Sequence, residues 1–207
     1  MTAKRLLPLT GVLAVGLVLA THLVHGSIPA PDASAADVAT FYRDHDSRQI
    51  AGAVLASYAA FFYLAFAVVL RGLVRRGKGE TASAFGFAGA IVFVVGVAIV
   101  AGMLFVLGDT ADGLEPSALQ ALHAFFFDLY APVAVGAAIF LVGNGIAILQ
   151  TRALPTWLGW LAMPIALANM TLPPVSDVGF LALGIWILIA SVLMVVRAET
   201  ASVQLTG

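Results

Sequence analysis

The sequence predicts an all-α protein, a polytopic bundle of six transmembrane helices carrying a short amphipathic helix outside the membrane. Three observations carry this expectation. The first is composition: of 207 residues, 61% are hydrophobic and 10% are charged. A soluble domain of this size carries about a quarter of its residues as Asp, Glu, Lys and Arg to keep its surface in water. A chain this short of charge must present much of its exterior to lipid. The second is the division of the chain into apolar stretches of membrane-crossing length. The third is the one-sided placement of its basic residues.

The six stretches run roughly over residues 6–24, 50–70, 82–107, 117–149, 155–172 and 176–196 of a single transmembrane domain that takes in the whole chain. At about 1.5 Å per residue each approaches or exceeds the ~30 Å of a hydrocarbon core. The fifth is the shortest, and the pair Pro173-Pro174 predicts a tight turn between it and the sixth, because proline lacks the N–H that a helix needs. In this threading Lys4, Arg5, Arg71, Arg75, Arg76, Lys78, Arg152 and Arg197 share one side. Arg43 and Arg48 lie on the other, together with Asp32, Asp37, Asp44, Asp46, Asp109, Asp112, Glu115 and Asp177. The positive-inside rule then puts both termini on the cytoplasmic side. Arg71 to Lys78 forms the main inner anchor and offers contacts to anionic headgroups, and Trp157 and Trp160 stand where an inner aromatic belt belongs. Lys4-Arg5, the first apolar run and Ala33-Ser34-Ala35 also fit a cleaved signal peptide. The run of about 19 residues exceeds the 7–15 of a signal core, which favours a retained helix.

The extracytoplasmic loop, residues 26–49, has its own order. Pro29 and Pro31 stop the first helix, and Ser34 with Asp37 three residues on forms a capping box. Val38, Phe41 and Tyr42 then share one face, which predicts a helix lying on the outer membrane surface. For helix packing, Ala98-xxx-Gly102 and Gly52-xxx-Ala56 are small-residue pairs, and no strict Gly-xxx-Gly occurs. Ala60-Phe-Phe-Tyr-Leu-Ala-Phe66 faintly echoes Ala124-Phe-Phe-Phe-Asp-Leu-Tyr130, as a duplicated hairpin or an Ala/Phe-rich alphabet would produce.

Asp128 is the one carboxylate well inside a span, at a cost of about 2.5–3.5 kcal/mol on insertion scales, so it is the leading functional candidate. It shares a face with Ala121, Ala124, Ala131 and Val135, small residues that predict an orientation into the bundle. Pro132 four residues on leaves the Asp128 carbonyl without its helical partner. A carboxyl and a freed carbonyl at one kink suit a proton, a cation or a polar ligand group. Tyr58 and Asn169 fall at a comparable depth, and His123, His22 and His25 lie nearer the outer surface, so these six residues make up the candidate ligand or proton site. The same Asp128 serves equally as interhelical packing glue. His22 and His25, three apart with no third ligand in sequence, fall short of a zinc site, and no metal site is predicted.

The sequence contains no phosphate-cradling glycine loop, no Gly-x-Ser-x-Gly and no His-Glu-x-x-His, so no cofactor is implied. Cysteine is absent, which removes disulfides and thiolate chemistry, and a net charge of −1 gives no case for nucleic acid. The predicted partners are the lipid bilayer, a hydrophobic small molecule and a membrane-protein partner. Two functions fit: a non-enzymatic carrier, accessory or envelope component, and an intramembrane enzyme such as a cyclase, isomerase or lipid-modifying enzyme. The enzyme would act on an isoprenoid or lipid, with Asp128 as general acid oriented by Tyr58 or Asn169.

Asp37-Val-Ala-Thr-Phe-Tyr-Arg-Asp-His-Asp-Ser-Arg-Gln-Ile-Ala-Gly52, the aromatic span after it with Arg71, and Leu154-Pro-Thr-Trp-Leu-Gly-Trp160 carry a resemblance. Over nearly its whole length the chain resembles a bacterial family of uncharacterised six-helix membrane proteins. The resemblance implies the helical membrane fold and assigns no activity.

Overall fold

A glycine seam organises the molecule. In the computed structural model, which describes residues 6–171 and 174–203 with side chains as far as Arg197, the described chain is helical and has no strand. A 3-10 turn, Leu7–Leu9, leads into α1 (Thr10–His25), and α2 (Ala35–Asp44) follows the outer loop. Next come α3 (Asp46–Val74), a second 3-10 turn at Gly77–Gly79, and α4 (Glu80–Asp109). The chain continues as α5 (Pro116–Asp128), α6 (Tyr130–Thr151), α7 (Thr156–Asn169) and α8 (Val175–Val203).

Helices α4 and α6 lie antiparallel in backbone contact. A methyl group placed on Gly143 would sit 2.2 Å from the amide nitrogen of Gly86, one on Gly89 2.3 Å from that of Phe140, and one on Gly136 2.3 Å from that of Phe93. Gly96 faces Val133 in the same register. The glycines that meet here recur at seven-residue intervals, 89 to 96 in α4 and 136 to 143 in α6. That period keeps one stripe facing the partner. No Gly-xxx-Gly is needed, because each helix supplies half of a heptad seam.

The other elements dock on this pair. Tyr63 of α3 sets its ring 4.5 Å from Phe93 and 5.2 Å from Phe140, and Phe140 lies 5.8 Å edge-on from Trp186 of α8. Trp186 is fully buried and donates its indole N–H to the Leu158 carbonyl of α7 at 2.9 Å. Gly11 of α1 lies against Ser191, Phe66 and Ile187, while Val15 lies against Gly184, so α1 and α8 run antiparallel. The start of α1 and the far end of α8 therefore share one end of the bundle. A second buried cluster caps the other end, made from Val38, Ala39 and Tyr42 of α2, Leu104 and Leu107 of α4, and Leu119 and Phe126 of α5.

Five stretches are long and apolar enough to cross a bilayer: Leu7–His25, Asp46–Val74, Gly77–Asp109, Pro116–Thr151 and Val175–Arg197. They match five of the six predicted spans. The predicted span at 155–172 differs, because its helix has 14 residues, about 21 Å, with Pro164 inside it. It buries Leu158, Gly159, Ala162, Ile165, Ala166 and Asn169, and so fills the bundle without the length of its neighbours. Pro173 of the predicted turn, and Lys4 and Arg5 of the predicted inner end and signal sequence, lie outside the described residues.

The predicted break at Pro132 is present. The α5 helix ends at Asp128, Leu129 stands between, and α6 begins at Tyr130, as expected where Pro132 cannot donate to the Asp128 carbonyl. The capping box is present as well. The Asp37 amide donates to Ser34 Oγ at 3.2 Å, and the Ser34 hydroxyl donates to Asp37 Oδ2 at 2.7 Å. The amphipathic helix does not lie on lipid, however: Val38 and Tyr42 are fully buried against the protein. Its apolar stripe finds protein partners in Leu104 and Leu107 at the end of α4 and in Leu119 and Phe126 of α5. The echoed Ala60–Phe66 and Ala124–Tyr130 segments are not equivalent, since the first lies in unbroken helix and the second straddles the break.

The seam yields a first prediction. Gly143→Val should destabilise the protein by about 1–3 kcal/mol through overpacking against the Gly86 backbone, read by thermal unfolding in detergent. Gly16→Ala has nothing within 4 Å and should raise stability by about 0.5–1 kcal/mol. Equal effects at the two positions would refute the seam.

Candidate functional site

Polar chemistry concentrates beneath the α2 cap, at the outer end of the bundle. His123 of α5 is fully buried there and has a partner on each ring nitrogen. Nδ1 lies 3.0 Å from the Tyr42 hydroxyl and Nε2 lies 3.2 Å from the Ala30 carbonyl. A carbonyl only accepts, so Nε2 carries the proton and Nδ1 accepts from Tyr42. Burial, with Tyr130 close by, pushes the Tyr42 hydroxyl above its ordinary value, so it holds its proton and keeps donating. Gln120, one turn before His123, donates to the Ala33 carbonyl at 2.7 Å. Arg43 donates to the Ala111 and Leu114 carbonyls at 3.1 and 3.0 Å. Two separate loops are thus fastened to α2 and α5.

The six residues singled out from sequence do not converge. Asp128 faces out of the bundle, as do Ala121, Ala124, Ala131 and Val135, so the small-residue stripe points away from the core and not into it. The reason lies in the break: α5 presents His123 and Phe126 inward, which turns the Asp128 side outward. Asp128 makes no hydrogen bond or ion pair with any described residue. Its depth follows from the helix register. Gly96 faces Val133, which puts Asp128 near the level of Ala101, while Gly52 touches both His25 and Leu104. Asp128 therefore sits only about 5 Å inward of His25, the last residue of α1, near the end of the apolar stretches where a carboxylate costs less than at their centre.

Tyr58 is 58% exposed on the outer side of α3. Asn169 is buried between α7 and α8, where its Nδ2 donates to the Ile165 carbonyl at 2.8 Å and its Oδ1 has no partner. The rings of His22 and His25 lie 5.3 Å apart at the outer end of α1. Each engages local backbone, His22 with the Val18 carbonyl at 2.9 Å and His25 with the Gly26 carbonyl at 3.0 Å. No three residues of His, Cys, Asp or Glu approach closely enough to hold a metal among the described residues.

A second feature escaped the sequence. Between α3 and α4 a shallow cleft of about 220 Å³ opens on the flank of the bundle, lined by Ala53, Val54, Ser57, Ala98, Ala101, Gly102 and Phe105. It adjoins a groove of about 490 Å³ walled by Val54, Ser57, Tyr58, Phe61 and Phe62. Gly102 has nothing within 4 Å of where a side chain would begin. Ala98-xxx-Gly102, expected to pack a helix, instead floors this opening. Gly52 does pack, against His25 and Leu104. Small residues in sequence mark close approach without telling whether a helix or empty space fills it.

The chain belongs to the family described as domain of unknown function (DUF4386), whose model matches residues 6–198. No curated protein and no solved structure matches it.

Two predictions follow from the geometry. The native state holds the Tyr42 proton more tightly than the unfolded chain does, so its contribution is whole below pH 10 and is lost as pH rises above 10. Protease cleavage in residues 26–45 should increase above that pH. Tyr42→Phe should be weaker by about 1–3 kcal/mol at neutral pH, with His123 Nδ1 unpaired, and should lack the alkaline step. Asp128→Asn should shift stability by no more than about 0.5 kcal/mol, since the carboxylate is exposed and unpaired; a loss above 2 kcal/mol would restore it as packing glue.

Proposed function

We propose that this family member is a non-enzymatic multi-pass protein of the bacterial plasma membrane. In this reading it is a carrier or accessory component that holds a single apolar chain, acyl or isoprenoid, in the α3–α4 groove, with both termini on the cytoplasmic side. The observation that carries the reading is the groove itself. It opens sideways toward lipid, its floor is built of Ala98, Ala101 and Gly102, and its rim is aromatic at Tyr58, Phe61 and Phe105. A helix about 10 Å across does not fit a cleft of about 220 Å³, whereas an extended hydrocarbon chain does. Ser57 spends its hydroxyl on the Ala53 carbonyl at 2.9 Å. Tyr58 is then the polar group left on this wall for a ligand oxygen. The common end formed by the start of α1 and the far end of α8, together with the one-sided arginines, supports the orientation.

The test uses the full chain in native-like membranes with diazirine-bearing palmitate and polyprenol probes. Labelling should concentrate on residues 53–62 and 98–105 and should fall at least fivefold in Gly102→Phe, which fills the floor. Labels spread evenly over all lipid-facing helices would overturn the reading. Chemical conversion of a probe that depends on Asp128 would favour an enzyme instead.

A further inference from the structure

The opposite end of the bundle carries cations that no described side chain neutralises. Arg71 closes α3, and Arg75, Arg76 and Lys78 follow in the turn to α4. That turn is pressed onto the end of α6, because a methyl group on Gly79 would meet the Val74 carbonyl at 2.3 Å and the Thr151 side chain at 2.4 Å. Lys78 and Arg152 thus flank one contact. Arg197 of α8 reaches the same place and donates to the Ala153 carbonyl. None of these cations is paired with a carboxylate among the described side chains, and Glu80, the acid whose side chain is described here, is also unpaired. Arg71 stacks its guanidinium 5.1 Å from the Phe87 ring centre, and its Nε is buried with no acceptor.

Arg152 adds an independent sign. It ends α6 in the left-handed conformation, φ 53°, and is the one residue other than glycine with positive φ among those described. A glycine is the usual occupant of that position, and an L side chain there costs about 1–2 kcal/mol. Backbone strain kept at a position where glycine would remove it marks a side chain retained for another purpose. Exposed Trp157 and Trp160 on the first turns of α7 place this end at a membrane interface.

We propose that Arg152, Lys78, Arg75 and Arg76 form a docking surface for the phosphate headgroup of anionic phospholipid. Arg71 is held against Phe87 as the surface's inner wall. Guanidinium groups suit phosphate because they donate two parallel hydrogen bonds to its oxygens, and no carboxylate among the described side chains takes those donors. The site lies at the other end of the bundle from the α3–α4 groove and stands whether or not that groove holds a chain.

The test compares the full chain in nanodiscs of phosphatidylglycerol and of phosphatidylcholine, reading thermal unfolding and the phosphatidylglycerol retained in native mass spectra. Phosphatidylglycerol should raise the unfolding temperature and survive release from the membrane. Arg152→Gly should bind it about fivefold more weakly while unfolding in phosphatidylcholine no earlier than the parent protein, because relieved strain offsets the lost charge. The exposed double variant Arg75→Gln/Arg76→Gln should weaken retention further, and Arg48→Gln at the far end should leave it unchanged. The proposal fails if Arg152→Gly and the double variant both keep full retention. It fails equally if Arg48→Gln loses as much, or if inorganic phosphate added to phosphatidylcholine nanodiscs gives the same thermal shift.

Discussion

Everything in this bundle depends on how closely α4 and α6 approach. In lipid, helices gain nothing by hiding apolar surface from one another, because acyl chains are as apolar as leucine. Association then rests on dispersion between closely packed atoms. Gly86, Gly89 and Gly96 on one helix, with Gly136 and Gly143 on the other, allow backbone to meet backbone over several turns. Tyr63, Phe66, Phe140 and Trp186 fill the space around that seam with ring on ring. Helix α7 continues the same device on the far side of α6, where Gly145 meets Gly159 and Ala162. Without the seam, neither the aromatic layer nor the docking of α3 and α7 has a surface to rest on.

Polarity inside the bundle is handled one residue at a time. Asn144 donates to Phe140, Asn169 to Ile165, Thr151 to Ala147 and Thr21 to Leu17, each within its own helix. Such bonds satisfy a donor locally without joining helices. Cross-element hydrogen bonding is concentrated at the outer cap, with the Trp186 link to Leu158 deeper in the bundle. Among the described residues these local bonds do not link one helix to the next, and the cross-element polar contacts gather toward the ends of the bundle.

The bundle was legible in sequence because lipid imposes a crude filter of length and apolarity that α1, α3, α4 and α8 pass plainly. The Ser34 cap and the Pro132 break were legible because each is a local rule about one missing or supplied hydrogen bond. Asp128 lies shallower than its position in the apolar run suggests and faces outward, since alanines beside it describe a narrow face without naming what lies opposite. His123 was seen as an outer-surface residue, but its partners come from 81 and 93 positions away, a separation that no periodicity reports. Seven-residue glycine spacing, 89 to 96 and 136 to 143, is the readable signal for the seam, which no Gly-xxx-Gly interval marks.

The outer cap is tied down in an asymmetric way. Gln49, His123, Gln120 and Arg43 reach the backbone oxygens of His25, Ala30, Ala33, Ala111 and Leu114, and none of these bonds uses a side chain of the connecting loops. Carbonyl groups are common to every residue type. These bonds therefore ask for no particular loop side chain, while Ala111 in the core and Ile28, Ala33 and Leu114 packed against it fix the loops by shape. Part of the constraint on this end of the bundle thus falls on four anchoring side chains in α2, α3 and α5, which hold the loops by groups that every residue carries.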